Sequence, residues 1–240
     1  SMDVEKFNAL QKSGYNSQYM FNTLQINNGD ANFSEVAQLS GIANTDWSWA
    51  PLFFDMDLDG DKDLFVTNGI KENFLFRDIN AKLEERKNKD GDVTLQNLLD
   101  VVPSDISENI FYENTNGLEF KNVSGKWAEP SLINSNGVAT ADFDNDGDLD
   151  FVTNNMGSYA TLYEGRAIQL NKKSLRIKLQ GDSLNTHAIG AKVKVITKDG
   201  SQLQELYTTR GYLSSVDYTM LFGLADNDTA AVDIIWTDGK

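Results

Sequence analysis

The strongest constraint on the fold is a nine-residue acidic segment that occurs twice, at 55–63 and at 142–150. In both copies aspartates stand at positions 1, 3, 5, 7 and 9 and a glycine stands at position 6, and the copies lie 87 residues apart. An extended strand would line the carboxylates along one face, where each like-charge contact near 4 Å costs about 1 kcal/mol in water. We therefore expect each segment to be a loop around a hard cation.

The spacing of the aspartates is typical of a calcium loop. Such loops supply ligands from positions 1, 3, 5, 7 (through the backbone carbonyl) and 9, and glycine at position 6 permits the sharp turn. The predicted ligands of the first site are Asp55, Asp57, Asp59, Asp61 through its carbonyl, and Asp63. Those of the second site are Asp142, Asp144, Asp146, Asp148 through its carbonyl, and Asp150. Magnesium is less favoured, because it requires a tight octahedral shell and retains its waters.

The residues around the loops exclude an EF-hand. An EF-hand requires Glu at position 12 and a helix on each side. Position 12 is Val66 in the first copy and Thr153 in the second, and apolar, strand-like residues flank both loops. The sequence therefore predicts two Ca²⁺ sites within β-hairpins.

Two alternatives to calcium deserve a test. The first is an acidic, solvated turn without metal, which the in-register repetition of five aspartates and a glycine disfavours. The second is an Mg²⁺-dependent, phosphatase-like hydrolase using Asp55 and Asp57. Residues 52–57 resemble the strand-end Asp-x-Asp of haloacid-dehalogenase-type phosphatases, in which one aspartate is the nucleophile. The Thr or Val that this family carries after its second aspartate is absent.

Composition limits the function classes. The 240 residues are 40% hydrophobic, which suffices for a core, and the net charge of −15 argues against nucleic-acid binding. Ten of the 36 acidic residues lie in the two loops, and two divalent ions would reduce the net charge by four, to −11. The absence of cysteine excludes disulfides and thiolate metal sites. There is no 18-residue apolar run. Ser1 and Met2 resemble the remnant of a cleaved tag, so we expect a piece of a longer protein.

Hydrophobic periodicity divides the chain into five segments. Apolar spacing predicts helices over 3–13, near 76–88 and over 94–102, and a hairpin turn at 27–30. The order of hairpin, loop, strand, metal loop and strand recurs in both halves. The predicted segments are an N-terminal helical segment at 1–23, a first repeat at 24–70, a helical insertion at 71–109, a second repeat at 110–166 and a β domain at 172–240.

Three further side chains are candidates for binding. Trp47 and Trp49 could stack on a sugar, although we expect at least one of them to pack between sheets. His187, the single histidine, is expected to be structural or exposed rather than a metal ligand or a general base.

The motifs resemble two known families. Both copies are similar to FG-GAP/VCBS repeats, and the residues that carry this likeness are 27–33, 47–49, 55–69 and 142–155. The C-terminal part resembles the ASPIC/UnbV domain, through residues 187–193, 210–215, 221–224 and 236–240. The loop motifs are specific for metal, whereas the C-terminal motifs are specific for a family and say little about chemistry.

The resemblance implies a mainly β protein, with two β-propeller-blade-like repeats that hold Ca²⁺ in their hairpin loops, a helical insertion and a small C-terminal β-sandwich or barrel. It implies a bacterial, exported, non-catalytic binding or adhesion module, secreted, periplasmic or at the cell surface, whose partner is a protein or a carbohydrate. Two blades cannot close a ring of four to eight. Their open edges are then covered by the helices, by the C-terminal domain or by self-association.

Overall fold

The computed structural model describes residues 4–15, 19–71, 78–91, 94, 102 and 106–239. The fold is mainly β, with 36% strand and 12% helix, as the sequence predicts. The helices among these residues are α1 (Val4–Lys12), α2 (Asp78–Asp90), α3 (Ser124–Trp127) and a 3₁₀ turn at Ile168–Leu170.

Fourteen strands are found among the described residues. The N-terminal and middle parts contain β1 (Gln25–Gly29), β2 (Asn32–Glu35), β3 (Ser48–Phe54), β4 (Asp63–Asn68), β5 (Ile110–Asn114), β6 (Phe120–Asn122), β7 (Ser135–Ala141), β8 (Asp150–Asn155) and β9 (Thr161–Tyr163). The C-terminal part contains β10 (Lys173–Ile177), β11 (Lys192–Ile196), β12 (Ser201–Glu205), β13 (Met220–Ala225) and β14 (Ala231–Ile235).

Two blade-like antiparallel sheets form the centre of the molecule. Strands β3 to β6 make a four-stranded sheet and β7 to β9 a three-stranded sheet, each with its strands in chain order. Side chains alternate across these strands, so that Leu64 and Val66 face one side and Phe65 the other. Phe65 is completely buried and contacts Phe151 of the second sheet, with ring centroids 4.7 Å apart. The shared core consists of Ala50, Leu52, Phe54, Phe65, Phe111, Val123, Val138 and Phe151.

The sheets and the sequence repeat have different phases. In the sequence, each repeat begins with a hairpin and ends with the metal loop and its exit strand. In the structure, the metal hairpin β3–β4 pairs with the hairpin β5–β6 that follows it, so that one sheet spans 48–122. The hairpin β1–β2 forms a separate two-stranded sheet. The segment 69–109, which contains α2, therefore connects β4 to β5, the second and third strands of one sheet.

The first hairpin confirms the predicted turn but shifts its tip. The two residues at the tip are Asp30 and Ala31, at the C-terminal end of the expected turn at 27–30, and both have positive φ (50° and 58°). Two consecutive positive φ values are the geometry of a type I′ turn, which matches the twist of the flanking strands. A bulge between Asn27 and Gly29 absorbs the displacement.

The C-terminal domain is sandwich-like and, within its described residues, contains no closed barrel. A two-stranded ribbon, β10–β13, packs against a three-stranded sheet of order β12-β11-β14. The buried core between them is formed by Leu179, Ala188, Ala191, Val193, Val195, Leu206, Met220, Phe222 and Leu224.

The helix predictions differ in outcome. The first is confirmed by α1, and the second by α2 with a shift of two residues toward the C terminus. The helix expected over 94–102 lies outside the described residues, apart from Thr94 and Val102. No helix among the described residues has the length and apolar character needed to cross a membrane.

Candidate metal centres

Both acidic segments are hairpin connections with the same backbone. The first joins β3 to β4, which pair at Phe54 and Asp63, and the second joins β7 to β8. The glycines at position 6, Gly60 and Gly147, have φ of 102° and 107°. The residues at position 4 also have positive φ in both loops (58° and 64°). The φ values of 102° and 107° at position 6 lie in a region that glycine tolerates and that other residues adopt rarely, which explains why glycine stands there in both loops.

The first loop brings its carboxylates together. One oxygen from each of Asp55, Asp57 and Asp63 lies within 4.8 Å of the others. The backbone N–H of Asp59 donates to Oδ1 of Asp55 (3.1 Å) and to Oδ1 of Asp57 (3.2 Å), which turns the chain around the cluster. Asp59 itself is exposed, and its Oδ1 accepts from the N–H of Asp61 (3.0 Å). Of the five predicted ligands, three therefore form a compact cluster, and Asp59 and Asp61 lie in the stretch of the loop between Asp57 and Asp63.

Burial, and then the neighbouring carboxylates, raise the pKa of several carboxyl groups in the first loop. Burial, followed by the charges of Asp59 and Asp57, raises the pKa of Asp55 from 3.8 to about 7. Burial raises the pKa of Asp63 to about 8 and that of Asp61 to about 6. The pKa of Asp57 is also raised, first by burial and then by Asp59. A bound cation would reverse this penalty, because it favours the ionised form of each carboxyl.

The second loop repeats the arrangement with different members. Here Asp142, Asp144 and Asp146 bring one oxygen each within 4.8 Å of the others. Oδ2 of Asp148 accepts from the N–H of Ile168 (3.1 Å). Burial raises the pKa of Asp148 to about 6, despite this hydrogen bond.

The aspartate at position 9 has a structural role that the sequence did not reveal. Oδ2 of Asp63 accepts from the N–H of Met56 (2.9 Å) and its Oδ1 accepts from the N–H of Asn114 (3.0 Å), in the third strand of the sheet. Asp150 does the same, with the N–H groups of Phe143 and Gly165 at 2.8 Å each. Position 9 therefore closes each loop, and it attaches the first loop to β5 and the second to the segment just after β9.

Three buried carboxylate oxygens in the loops have no hydrogen-bond partner among the described residues. They are Oδ1 of Asp61, Oδ1 of Asp142 and Oδ1 of Asp148. A buried, unpartnered carboxylate oxygen carries a large desolvation penalty. The predicted ligand atoms of both loops, which are the carboxylate oxygens of the aspartates and the backbone carbonyl at position 7, are all oxygens, the ligand type that Ca²⁺ prefers. The residues present therefore fit a calcium ion. The side chains at position 7, Asp61 and Asp148, join the candidates, although the sequence assigned them only a carbonyl.

The C-terminal domain contacts both loops, which the sequence analysis missed. The N–H of Gly223 donates to Oδ2 of Asp55 (3.2 Å), and Arg176 forms an ion pair with Asp142 (2.5 Å). The N–H of Ala225 donates to the carbonyl of Leu58 (2.9 Å), whose side chain is completely buried. One available signal was Gly223 itself, because an isolated glycine in an apolar strand marks a close approach of another backbone.

The other candidates have structural environments. The indole N–H of Trp49 donates to the carbonyl of Gly69 (2.7 Å), and its ring packs on Tyr212 with centroids 4.8 Å apart. Trp47 is 38% exposed. His187 is exposed and stacks on Tyr218 at 4.0 Å. Trp49 thus packs on Tyr212, that a tryptophan packs between sheets stays a prediction, and the histidine is exposed, which is one of the two expected environments.

Two segments of the sequence match known family models. Residues 11–66, which contain the first Asp loop, match the family model described as FG-GAP-like repeat. Residues 181–240 match the family model described as ASPIC and UnbV. The chain therefore contains one segment similar to FG-GAP-like repeats and one similar to the ASPIC/UnbV domain. The second copy at 110–166 lies outside these two matched segments and is related to the first by its sequence and by its hairpin geometry.

Individual proteins similar to this chain agree with the family matches. Cartilage acidic protein 1 is 32% identical over 120 residues in Homo sapiens, 31% in Xenopus tropicalis and 32% in Mus musculus. Each alignment covers 48% of this chain and 18% of the relative. The chain thus matches less than a fifth of the length of these relatives, and the resemblance predicted from the motifs is confirmed.

Proposed function

We propose that this chain is a calcium-stabilised, non-catalytic binding module that works outside the cytoplasm. The observation that carries the proposal is the pair of Asp loops, each of which holds a cluster of carboxylates and at least one buried carboxylate oxygen without a hydrogen-bond partner among the described residues. A cation in each loop offsets the repulsion and holds the two hairpins rigid. FG-GAP-like repeats often bind Ca²⁺, and the likeness to cartilage acidic protein 1 supports an extracellular location.

In this proposal each loop binds one Ca²⁺. The ligands are Asp55, Asp57, Asp59, Asp61 and Asp63 in the first loop, and Asp142, Asp144, Asp146, Asp148 and Asp150 in the second. Extracellular modules bind calcium with dissociation constants of roughly 10⁻⁴–10⁻³ M. At a hundredfold excess over that constant, one ion stabilises the folded chain by about 2.7 kcal/mol. The ions therefore act on stability, and the surface that they hold rigid binds a protein or a carbohydrate.

Thermal unfolding tests the calcium claim. The chain is melted in EDTA, and then with Ca²⁺ or Mg²⁺ restored in excess over the chelator. We expect a lower melting temperature in EDTA, full recovery with Ca²⁺ and little recovery with Mg²⁺. Equal melting in all three conditions, with no bound metal by elemental analysis, contradicts the proposal. A glycan array and a pull-down from surface-protein extracts, each repeated in EDTA, then separate a carbohydrate ligand from a protein ligand.

The hydrolase alternative fits the geometry less well. The Asp55 side chain is buried, with a relative exposure of 3% for the residue, and its Oδ2 already accepts from the N–H groups of Gly60 and Gly223. A nucleophile needs an open line of approach to its substrate. FG-GAP and ASPIC/UnbV families are also generally non-catalytic. Mg²⁺-dependent cleavage of a generic phosphate ester, lost in Asp55→Asn and retained in Asp142→Asn, would support the hydrolase instead.

A further inference from the structure

The ribbon β10–β13 supports both Asp loops at once. Ser174 and Gly223 are direct partners across this ribbon. The N–H of Gly223 donates to Asp55 in the first loop, and the hydroxyl of Ser174 donates to the carbonyl of Gly147 in the second. The two loops, which are 87 residues apart in the chain, therefore share one support in the C-terminal domain.

The support differs between the loops at the aspartate of position 1. Asp55 receives an uncharged backbone N–H, from Gly223, on its Oδ2, and the ammonium of Lys62 acts on it without forming an ion pair. Asp142 receives a guanidinium instead, because Nη1 of Arg176 lies 2.5 Å from its Oδ2. The Asp142 side chain is only 9% exposed, and its second oxygen, Oδ1, is buried without a partner. One carboxylate thus has an oxygen paired with a resident cation and an oxygen free for a ligand.

We propose that Arg176 sets the calcium affinity of the second loop, by acting as a resident counter-cation that makes this loop bind Ca²⁺ more weakly than the first. The inference rests on the proposed function, since it concerns how the two calcium sites differ. The guanidinium partly neutralises the negative charge of Asp142, and it repels a divalent ion bound to the same carboxylate. The Arg176 side chain is 43% exposed, so solvent and salt moderate the repulsion without removing it. The loops then fill in order, the first before the second.

The same contact gives the metal-free protein a reason to keep Arg176. Without an ion, the guanidinium partly neutralises the cluster of Asp142, Asp144 and Asp146 and holds the ribbon against the second loop. Neutral substitution of Arg176 is therefore expected to lower the melting temperature in EDTA and to raise the affinity for Ca²⁺. If the side chain only supported the fold, the same substitution would lower both the melting temperature in EDTA and the affinity for Ca²⁺.

A Ca²⁺ titration of the ¹⁵N-labelled full chain, followed by NMR, reads each loop separately through the amides of Gly60 and Gly147. The neutral variants are Arg176→Gln, which keeps a side-chain N–H donor, and Arg176→Met. Arg176→Lys keeps the charge and serves as a variant with little effect on folding. The control is Lys173→Gln, which makes the same charge change on the same strand but breaks an exposed pair with Asp228.

The expected result has four parts. In the native protein Gly60 shifts at lower Ca²⁺ than Gly147. In the Gln and Met variants the dissociation constant at Gly147 falls by about three- to tenfold, the order expected when one unit charge beside a divalent ion is removed in screened, water-like surroundings. Gly60 changes by less than about twofold in these variants. The Lys variant and the Lys173→Gln control also stay within about twofold of the native protein at both loops.

The inference alone would be overturned by unchanged or weaker binding at Gly147 in both neutral variants, or by simultaneous filling of the loops in the native protein. Tightening of threefold or more in Arg176→Lys would also overturn it, because the charge is retained. A native protein in which neither glycine responds to Ca²⁺ would overturn the proposed calcium function, and the inference with it. The two failures are thereby distinguished.

Discussion

The backbone N–H of Gly223 donates to Oδ2 of Asp55 at 3.2 Å, across 168 positions of the chain. This bond joins the C-terminal domain to the first residue of a candidate calcium loop. Gly223 has no room for a side chain, because an added Cβ would lie 2.1 Å from Oδ2 of Asp55 and 2.6 Å from the backbone of Leu58. The domain and the loop are therefore fitted to each other at atomic distance.

The first prediction concerns this close approach. Gly223→Ala should separate β13 from the first loop and destabilise the protein by about 1–3 kcal/mol, the usual cost of overpacking a filled site. Urea unfolding at saturating Ca²⁺ measures the change. The control is Gly200→Ala, since an added Cβ there meets nothing within 4 Å. Equal stability of the two variants would show that the ribbon and the loop do not pack as described.

The second prediction concerns the apolar anchor of the same loop. Leu58 is completely buried against Ala167 and Leu221, at the junction of the loop and the C-terminal domain. Leu58→Ala should lower the free energy of unfolding by about 2–5 kcal/mol, because it removes buried methyl groups and leaves a cavity. Leu184→Ala, at a residue that is 96% exposed, should change stability by less than about 0.5 kcal/mol. Urea denaturation of both variants compares them directly.

The third prediction concerns pH in the absence of metal. The pKa values of Asp61, Asp55 and Asp63 are raised from 3.8 to about 6, about 7 and about 8. Below the unfolded value both states are protonated. As the pH rises from about 4 to about 8, the unfolded chain loses these protons first, so the folded state loses stability. The melting temperature of the metal-free protein should therefore fall as the pH rises across this range, and saturating Ca²⁺ should make this fall smaller. A metal-free protein whose stability rises from pH 4 to pH 8 would contradict the described burial of these carboxyls.

The local parts of this structure follow from the sequence, and the long-range parts do not. Asp and Gly at fixed positions of a nine-residue segment dictate a tight loop, because the carboxylates repel and only the glycine tolerates its φ. The apolar run at 64–66, directly after the first loop, predicts a strand, and all six residues of β4 are buried. These are properties of neighbouring residues.

Pairing between distant segments has no such local signature. Which strands share a sheet depends on the hairpin that pairs with β4. In the structure this is the hairpin β5–β6, and β5 pairs with β4 at Leu64, Phe65 and Val66. The ion pair between Arg176 and Asp142 depends on the docking of a whole domain. An alternating strand such as β10 indicates that Arg176 points away from the domain core. It does not indicate which carboxylate lies opposite.

The most direct test of the central claim is a count of bound Ca²⁺ per chain by equilibrium dialysis, in the native protein and in loop variants. The account predicts two ions in the native protein, one in Asp57→Ala, one in Asp144→Ala and none in the double variant. Asp233→Ala, an acidic residue of β14 outside both loops, should keep two. A native protein without bound calcium at millimolar concentration, or a count that the loop substitutions leave unchanged, would contradict the account.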